Sequence, residues 1–173
     1  MRRRVQTPAG SGHFRLPYLT NQPVQQAGCR AIIQLSLWEA CQLSPSENIC
    51  YVKTSPHNLV FPKCAAVVHH GGAGTTQATL LAGIPSIVVP HISDQYFWGR
   101  EMQRLGVAAQ ILPRKKITPQ ALAKQIKLVL GSDSMRRRAS KIGAAMREED
   151  GVARAIQLID EKYQAWQARQ MGL

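Results

Sequence analysis

The chain has 173 residues, 45% hydrophobic and 18% charged, which suits one domain with an ordinary core and excludes a two-domain machine, a disordered chain and a collagen-like one. Its 22 Lys+Arg against 10 Asp+Glu give a net charge of +12, which favours anionic partners: phosphorylated ligands, acidic membrane or nucleic acid. No apolar run approaches the roughly 18–20 residues of a membrane span, and the opening Met1-Arg2-Arg3-Arg4 lacks a following apolar signal region, so a cytoplasmic location is expected.

Residues 1–23 carry prolines, glycines and the three arginines with no apolar periodicity, and are expected to form an irregular arm. The fold is expected to occupy residues 24–167, with 168–173 as a tail. Residues 31–37 (A-I-I-Q-L-S-L) and 48–52 (N-I-C-Y-V) are short apolar runs suited to strands. Cys29, Cys41, Cys50 and Cys64 form no C-x-x-C pair and read as free thiols of a reducing compartment.

The pattern then becomes regular. Residues 65–69 read as a buried strand, a glycine turn follows, and residues 75–82 can be helical until Gly83 and Pro85. Residues 86–89 are the next strand, broken at Pro90, and a helix from about Gln95 carries Trp98, Met102 and Leu105 on one face. Residues 107–112 read as a further strand. Thr118-Pro119 is an N-cap and first-turn pair for a helix whose Leu122, Ile126, Val129 and Leu130 face inward. Two more helices close the chain, and the last repeats Val152, Ala155, Ile156, Ile159, Tyr163 and Trp166 at three- and four-residue spacing, a pattern that predicts a packed face. Strand-helix alternation of this kind predicts an α/β fold with a parallel sheet covered on both faces, and places ligands at the carboxyl ends of the strands.

Two strand-to-helix loops therefore hold the candidate chemistry. The first is His69-His70-Gly71-Gly72-Ala73-Gly74-Thr75-Thr76. Glycines permit a sharp turn and close approach to backbone amides, the helix start favours negative charge, and two hydroxyls and an imidazole add donors. The loop is neither G-x-G-x-x-G nor a P-loop, because no Lys-Ser or Lys-Thr follows the glycines. Steric demand alone would also explain the glycines. The second loop is Pro90-His91-Ile92-Ser93-Asp94-Gln95. A carboxylate beside an amide can accept from and donate to vicinal hydroxyls, which suits a sugar; as an alternative, Asp94 caps a helix starting at Gln95. The histidines lack carboxylate or cysteine neighbours at ligand spacing, so no metal is expected; His69 reads as a strand-end residue, packed or facing solvent. The basic runs at 2–4, 114–116 and 136–138 read as solvated faces without nucleic-acid modules.

Residues 61–100, F-P-K-C-A-A-V-V-H-H-G-G-A-G-T-T-Q-A-T-L-L-A-G-I-P-S-I-V-V-P-H-I-S-D-Q-Y-F-W-G-R, resemble the donor-binding domain of GT-B glycosyltransferases that use UDP-sugars, most of all the sterol glucosyltransferases and related bacterial lipid and macrolide enzymes. The likeness extends more loosely over residues 27–163. It implies a Rossmann-like parallel sheet with helices on both faces, the C-terminal half of a GT-B fold. It also implies that His70, Gly72, Ala73, Gly74 and Thr75 bind the diphosphate, that Asp94 and Gln95 contact the sugar hydroxyls, and that Pro56 and His57 border the base. Thr54 stands where many relatives carry a Trp, and Ala78 where plant relatives carry a Glu for the ribose.

Family members place an acceptor-binding domain, with a histidine general base, before this one. Nothing of sufficient length precedes Ala31, and Gly10-Ser11-Gly12-His13 lacks an apolar strand in front of it to match the family's first donor-domain strand. The expectation is thus a donor half with no catalytic residue of its own: a UDP-sugar-dependent hexosyltransferase acting on a sterol, lipid or similar hydroxyl, with no cofactor beyond the UDP-sugar co-substrate. Its expected partners are the UDP-sugar, a separate acceptor-domain chain and the surface of an anionic membrane. A non-catalytic nucleotide-sugar-binding module or truncated fragment remains the alternative, and a basic nucleic-acid-binding domain a weaker one.

Overall fold

The computed structural model describes residues 4–8, 17–35 and 46–170, with backbone alone for 4–8 and 17–20. In chain order the elements are β1 (Arg4–Pro8), α1 (Pro17–Ala27), β2 (Arg30–Gln34), β3 (Ile49–Val52), α2 (His57–Val60), β4 (Ala66–His69), α3 (Ala73–Leu81), β5 (Ser86–Val88), α4 (Ser93–Arg104), α5 (Pro119–Gly131), α6 (Asp133–Glu148) and α7 (Gly151–Gln170). The strands form one sheet in the order β3-β2-β1-β4-β5, every pair parallel.

Pleat alternation divides the core between the two faces. Ala66, Val68 and Ile87 point to one side, where Val24 of α1 and Leu122, Ile126 and Val129 of α5 cover them. Val67 and Val88 point to the other, against Ala78 of α3, Met102 of α4 and Ala139 of α6. Both faces of β4 and β5 are therefore dry, which is why their sequences read as unbroken apolar runs. Thr118 caps α5 as its sequence predicts, its Oγ1 accepting from the Ala121 N–H at 3.1 Å.

Four expectations need correction. The described residues of the 1–23 arm are not irregular: Arg4–Pro8 is the central strand, with Val5 opposite both Ala31 and Ala66, and α1 starts at Pro17. A strand does therefore precede Gly10, although residues 9–16 lie outside the described set. The run R-V-Q-T-P gives no hydrophobic signal because its place is set by backbone pairing on both sides. Residues 107–112 form a bridge, not a full strand: Ala108 pairs with Ser86, and the Leu112 N–H donates to the Val88 carbonyl at 3.0 Å.

The last two corrections concern the C-terminus. α7 runs through Gln170, so the chain does not become a tail at 168. Its apolar stripe is unpacked: Val152 is 73% exposed, Ile159 66%, and Tyr163 and Trp166 56% each. The spacing produces the expected face, but no described element covers it. Among the described residues no disulfide joins Cys29, Cys50 or Cys64, while Cys41 lies outside the described residues. Among the described residues no helix is long and apolar enough to cross a membrane.

Candidate functional site

β4 ends at His69, and the chain turns through His70, Gly71 and Gly72 into α3. Gly71 has φ 90, a conformation that side-chain-bearing residues avoid, and a Cβ there would sit 2.8 Å from both the Gln95 carbonyl oxygen and Val88 Cγ1. A Cβ on Gly72 would run into Nε2 of the His70 ring, so the imidazole lies directly over the turn. The first helical amide with an acceptor is Thr76, which donates to the Gly72 carbonyl at 2.9 Å. The N–H groups of Ala73, Gly74 and Thr75 precede it and have no acceptor within the helix, so together with the helix dipole they form an anion-receptive end. Two buried polar atoms beside it, Nδ1 of His70 and Oγ1 of Thr76, have no partner among the described residues.

The neighbouring loop leaves β5 alongside this turn. The Val89 N–H donates to the His69 carbonyl at 2.8 Å, and the His70 and His91 rings are 6.3 Å apart. α4 begins at Ser93, its N-cap is Ile92, and Asp94 is exposed in the first turn, so Asp94 is not the cap of a helix that starts at Gln95. The Gln95 oxygen Oε1 accepts from the N–H groups of His91 at 2.8 Å and Ile92 at 3.2 Å. That commits the acceptor half of the amide to the loop and leaves its Nε2 hydrogens for a ligand, while Asp94 supplies acceptors.

Burial lowers the pKa of His70, and the Asp94 carboxylate beside it opposes that shift. His91 is lowered by burial, then by the Arg114 guanidinium and by His70. Arg114 belongs to a basic run that the sequence suggested was a solvated face; its backbone N–H donates to Pro90 at 3.3 Å, which sets the residue beside the second loop. The 136–138 run is likewise partly committed, since Arg136 pairs with Asp133 at 2.7 Å and Arg138 lies against Gly106.

Pro56 and His57 lie beyond the end of β3. Pro56 is the N-cap of the short α2, and the His57 ring stacks on Phe61 with centroids 4.3 Å apart and 14° between planes. Burial lowers the His57 pKa, and its charge also acts on His69, so this segment adjoins the glycine turn. A cavity of about 260 Å³ among Arg30, Glu47, Asn48 and Cys50 lies at the opposite, amino end of β2 and β3. Among the described residues no group of three His, Cys, Asp or Glu side chains is arranged to hold a metal.

The structure thus brings His70, Gly72, Ala73, Gly74 and Thr75 together on one turn, with Asp94 and Gln95 against it and His57 beside it. For His69 the structure selects the packed alternative, at 2% exposure. Two features escaped the sequence: the partners of that ring, Ser86 Oγ and the Gly71 N–H, and the commitment of the Gln95 oxygen. Neither has a signal in a single sequence, because both depend on which neighbour a polar atom meets.

A doubly covered parallel sheet with a glycine turn opening a helix at its carboxyl edge defines a Rossmann-like α/β domain. The chain belongs to the family of the erythromycin biosynthesis protein CIII-like C-terminal domain, whose profile matches residues 32–157. It is 41% identical over 131 residues to a sterol 3-beta-glucosyltransferase of Aspergillus fumigatus, covering 75% of this chain and 9% of that protein. It is 37% identical over 110 residues to a sterol 3-beta-glucosyltransferase of Arabidopsis thaliana, covering 64% of this chain and 18% of that one. The glycosyltransferase VinC, solved in complex with dTDP, shares the fold with a TM-score of 0.80 at 21% identity, over 92% of this chain and 42% of its own. The chain therefore spans less than a fifth of the two curated relatives and under half of the solved structure.

Proposed function

We propose that this chain is the donor-binding half of a UDP-sugar-dependent glycosyltransferase that inverts at the anomeric carbon and transfers a hexose, glucose in the first instance, to the hydroxyl of a sterol or similar lipid. The observation that carries the reading is the contact between Gly71 and the Gln95 carbonyl, which sets an anion-receptive helix start directly against a carboxylate-amide pair. A diphosphate would accept from the amides of Ala73, Gly74 and Thr75, the Thr75 hydroxyl and the His70 ring. The hexose attached to it would reach Asp94 as acceptor and Gln95 Nε2 as donor, and Pro56 and His57 would border the base. The sterol glucosyltransferase relatives support the acceptor class, and the dTDP complex of a protein of this fold supports a nucleoside diphosphate.

No cofactor beyond the co-substrate enters this reading. Transfer also requires a deprotonated acceptor hydroxyl aligned with the anomeric carbon and shielded from water, which calls for an acceptor half carrying the base. The exposed stripe on α7 supports such a docking partner, because an apolar face of that length is ordinarily covered. The +12 charge and the exposed Arg137 and Lys141 support approach to an anionic cytoplasmic membrane surface, at about 1 kcal/mol per basic residue near it.

A thermal melt with UDP and UDP-glucose tests the donor site. Ligand at about 100 times its dissociation constant should stabilise the chain by roughly 2.7 kcal/mol. Thr75→Ala should weaken both ligands, and Asp94→Ala should remove only the extra stabilisation by UDP-glucose. A cooperative melt indifferent to both ligands sinks the reading.

A further inference from the structure

We propose that His69 is a positioning residue for the donor site: its ring ties the Gly71 amide to Ser86 of β5 and so fixes the diphosphate turn relative to the sugar loop. The inference rests on the donor-site reading above and extends it to a residue that would touch neither phosphate nor sugar.

Both ring nitrogens of His69 are used. The Gly71 N–H donates to Nδ1 at 3.1 Å, and Nε2 lies 3.1 Å from Ser86 Oγ. An amide N–H can only donate, so Nδ1 must be unprotonated, and the proton of the neutral ring must sit on Nε2, donating to the serine oxygen. A second proton on Nδ1 would set two donors against each other. The ring is 2% exposed and Ser86 fully buried, so no water can substitute for either partner.

The pleat explains why these two side chains meet. His69 lies two residues beyond Val67 on β4, Val67 is the register partner of Ser86, and both side chains therefore project toward the α3 side of the sheet. The ring thus braces the first residue of β5 against a turn that leaves β4.

That turn has no slack. Gly71 sits at φ 90 with its α-carbon against the Gln95 carbonyl and Val88, so its amide direction decides how closely the two loops approach. His70 follows His69 directly, and its ring lies over Gly72. Rotation at Gly71 would move the His70 donor and the open amides of α3 together. The chain's own polar strut, not the glycines alone, gives the turn a single setting.

UDP titration calorimetry on the full chain, with NMR of the His69 imidazole and the Gly71 amide, decides the matter. Wild type should show the neutral Nε2–H tautomer and slow exchange at Gly71. His69→Leu, which fills the space without an acceptor, should bind UDP at least tenfold more weakly and lose the Gly71 protection. His69→Asn, whose Oδ1 can accept from Gly71, should recover most of the affinity, and Ser86→Ala should give an intermediate loss with a mixed tautomer.

Wild-type affinity in folded His69→Leu, or an Nδ1–H tautomer in wild type, overturns the inference while leaving the donor site standing. Absence of UDP binding by wild type removes the donor reading and this inference with it. Should His69→Leu not fold, the other two variants decide: equal affinity in His69→Asn, Ser86→Ala and wild type, with unchanged Gly71 exchange, overturns the role.

Discussion

Gln95 holds the backbone of His91: its side-chain oxygen accepts from the His91 N–H at 2.8 Å, four residues back along the chain, and takes the Ile92 N–H as well. One side chain thereby closes the loop that presents Asp94 and keeps only donors for a ligand. The residue is thus both part of the loop's structure and part of the proposed sugar contact, and two substitutions separate these roles.

Gln95→Glu preserves the acceptor and removes the donors. It is expected to keep the melting temperature near wild type and to bind UDP normally, while losing the added affinity of UDP-glucose. Gln95→Ala leaves two amides without their acceptor and should destabilise the chain by about 1–2 kcal/mol as well. Melting curves with calorimetry of the two ligands separate these outcomes.

The two glycines of the turn should fail in different ways. Gly71→Ala forces a Cβ at positive φ into Val88 and the Gln95 carbonyl, so it should lower stability by roughly 2–3 kcal/mol. Gly72→Ala meets a movable His70 ring and should mainly weaken UDP, by roughly tenfold, with a smaller change in melting temperature. Parallel unfolding and UDP titrations of both variants check this.

Acid should loosen the fold through His69, whose pKa burial, then His70 and His57, push down to about 3. The unfolded chain takes up that proton near pH 6.5, whereas the folded chain resists it to about pH 3. Stability from this group is complete above pH 6.5 and falls as pH drops toward 3, at up to about 1.4 kcal/mol per pH unit. Urea unfolding at a series of pH values should show that slope in wild type and a shallower one in His69→Asn.

α7 offers a surface test. With Ile159 and Trp166 mostly exposed, Ile159→Glu combined with Trp166→Glu should change the melting temperature by no more than 1–2 °C and leave UDP binding unchanged. The same pair should abolish association with an acceptor-domain chain in a pull-down. A large loss of stability would mean that the stripe is already covered within this chain.

The sequence was most legible where side chains face a core. β4, β5, α5 and the two loops beside them follow from apolar runs, a Thr-Pro cap and glycine turns, because burial and backbone geometry restrict residue choice there. β1 was not legible: only Val5 of its five residues is strongly apolar, and what holds it is a ladder of amides to β2 and β4. α7 misled in the opposite sense, since periodicity records that a face is apolar without recording whether a partner is present. Within the site, Thr75 and Asp94 could be picked out by type and position, whereas His69 gained its role from Ser86, seventeen residues away on another strand.

Gln6 offers the direct check on β1. It pairs with Ile32 on one side and Val67 on the other, and Gln6→Pro removes an N–H from the middle of the sheet. A loss of 3 kcal/mol or more, or failure to fold, is expected. A melting temperature within a few degrees of wild type would mean that β1 is dispensable.

Because β2 and β4 do not pair with each other, each meeting only β1 across the middle of the sheet, the rest of the domain is shaped as a receptor for one short extended peptide. Such an arrangement lends itself to complementation: a domain lacking its first strand, supplied with a synthetic peptide of that sequence, would report strand insertion through recovered UDP binding, and the carboxyl end of the inserted peptide would arrive at the edge of the sheet where the two ligand-facing loops converge.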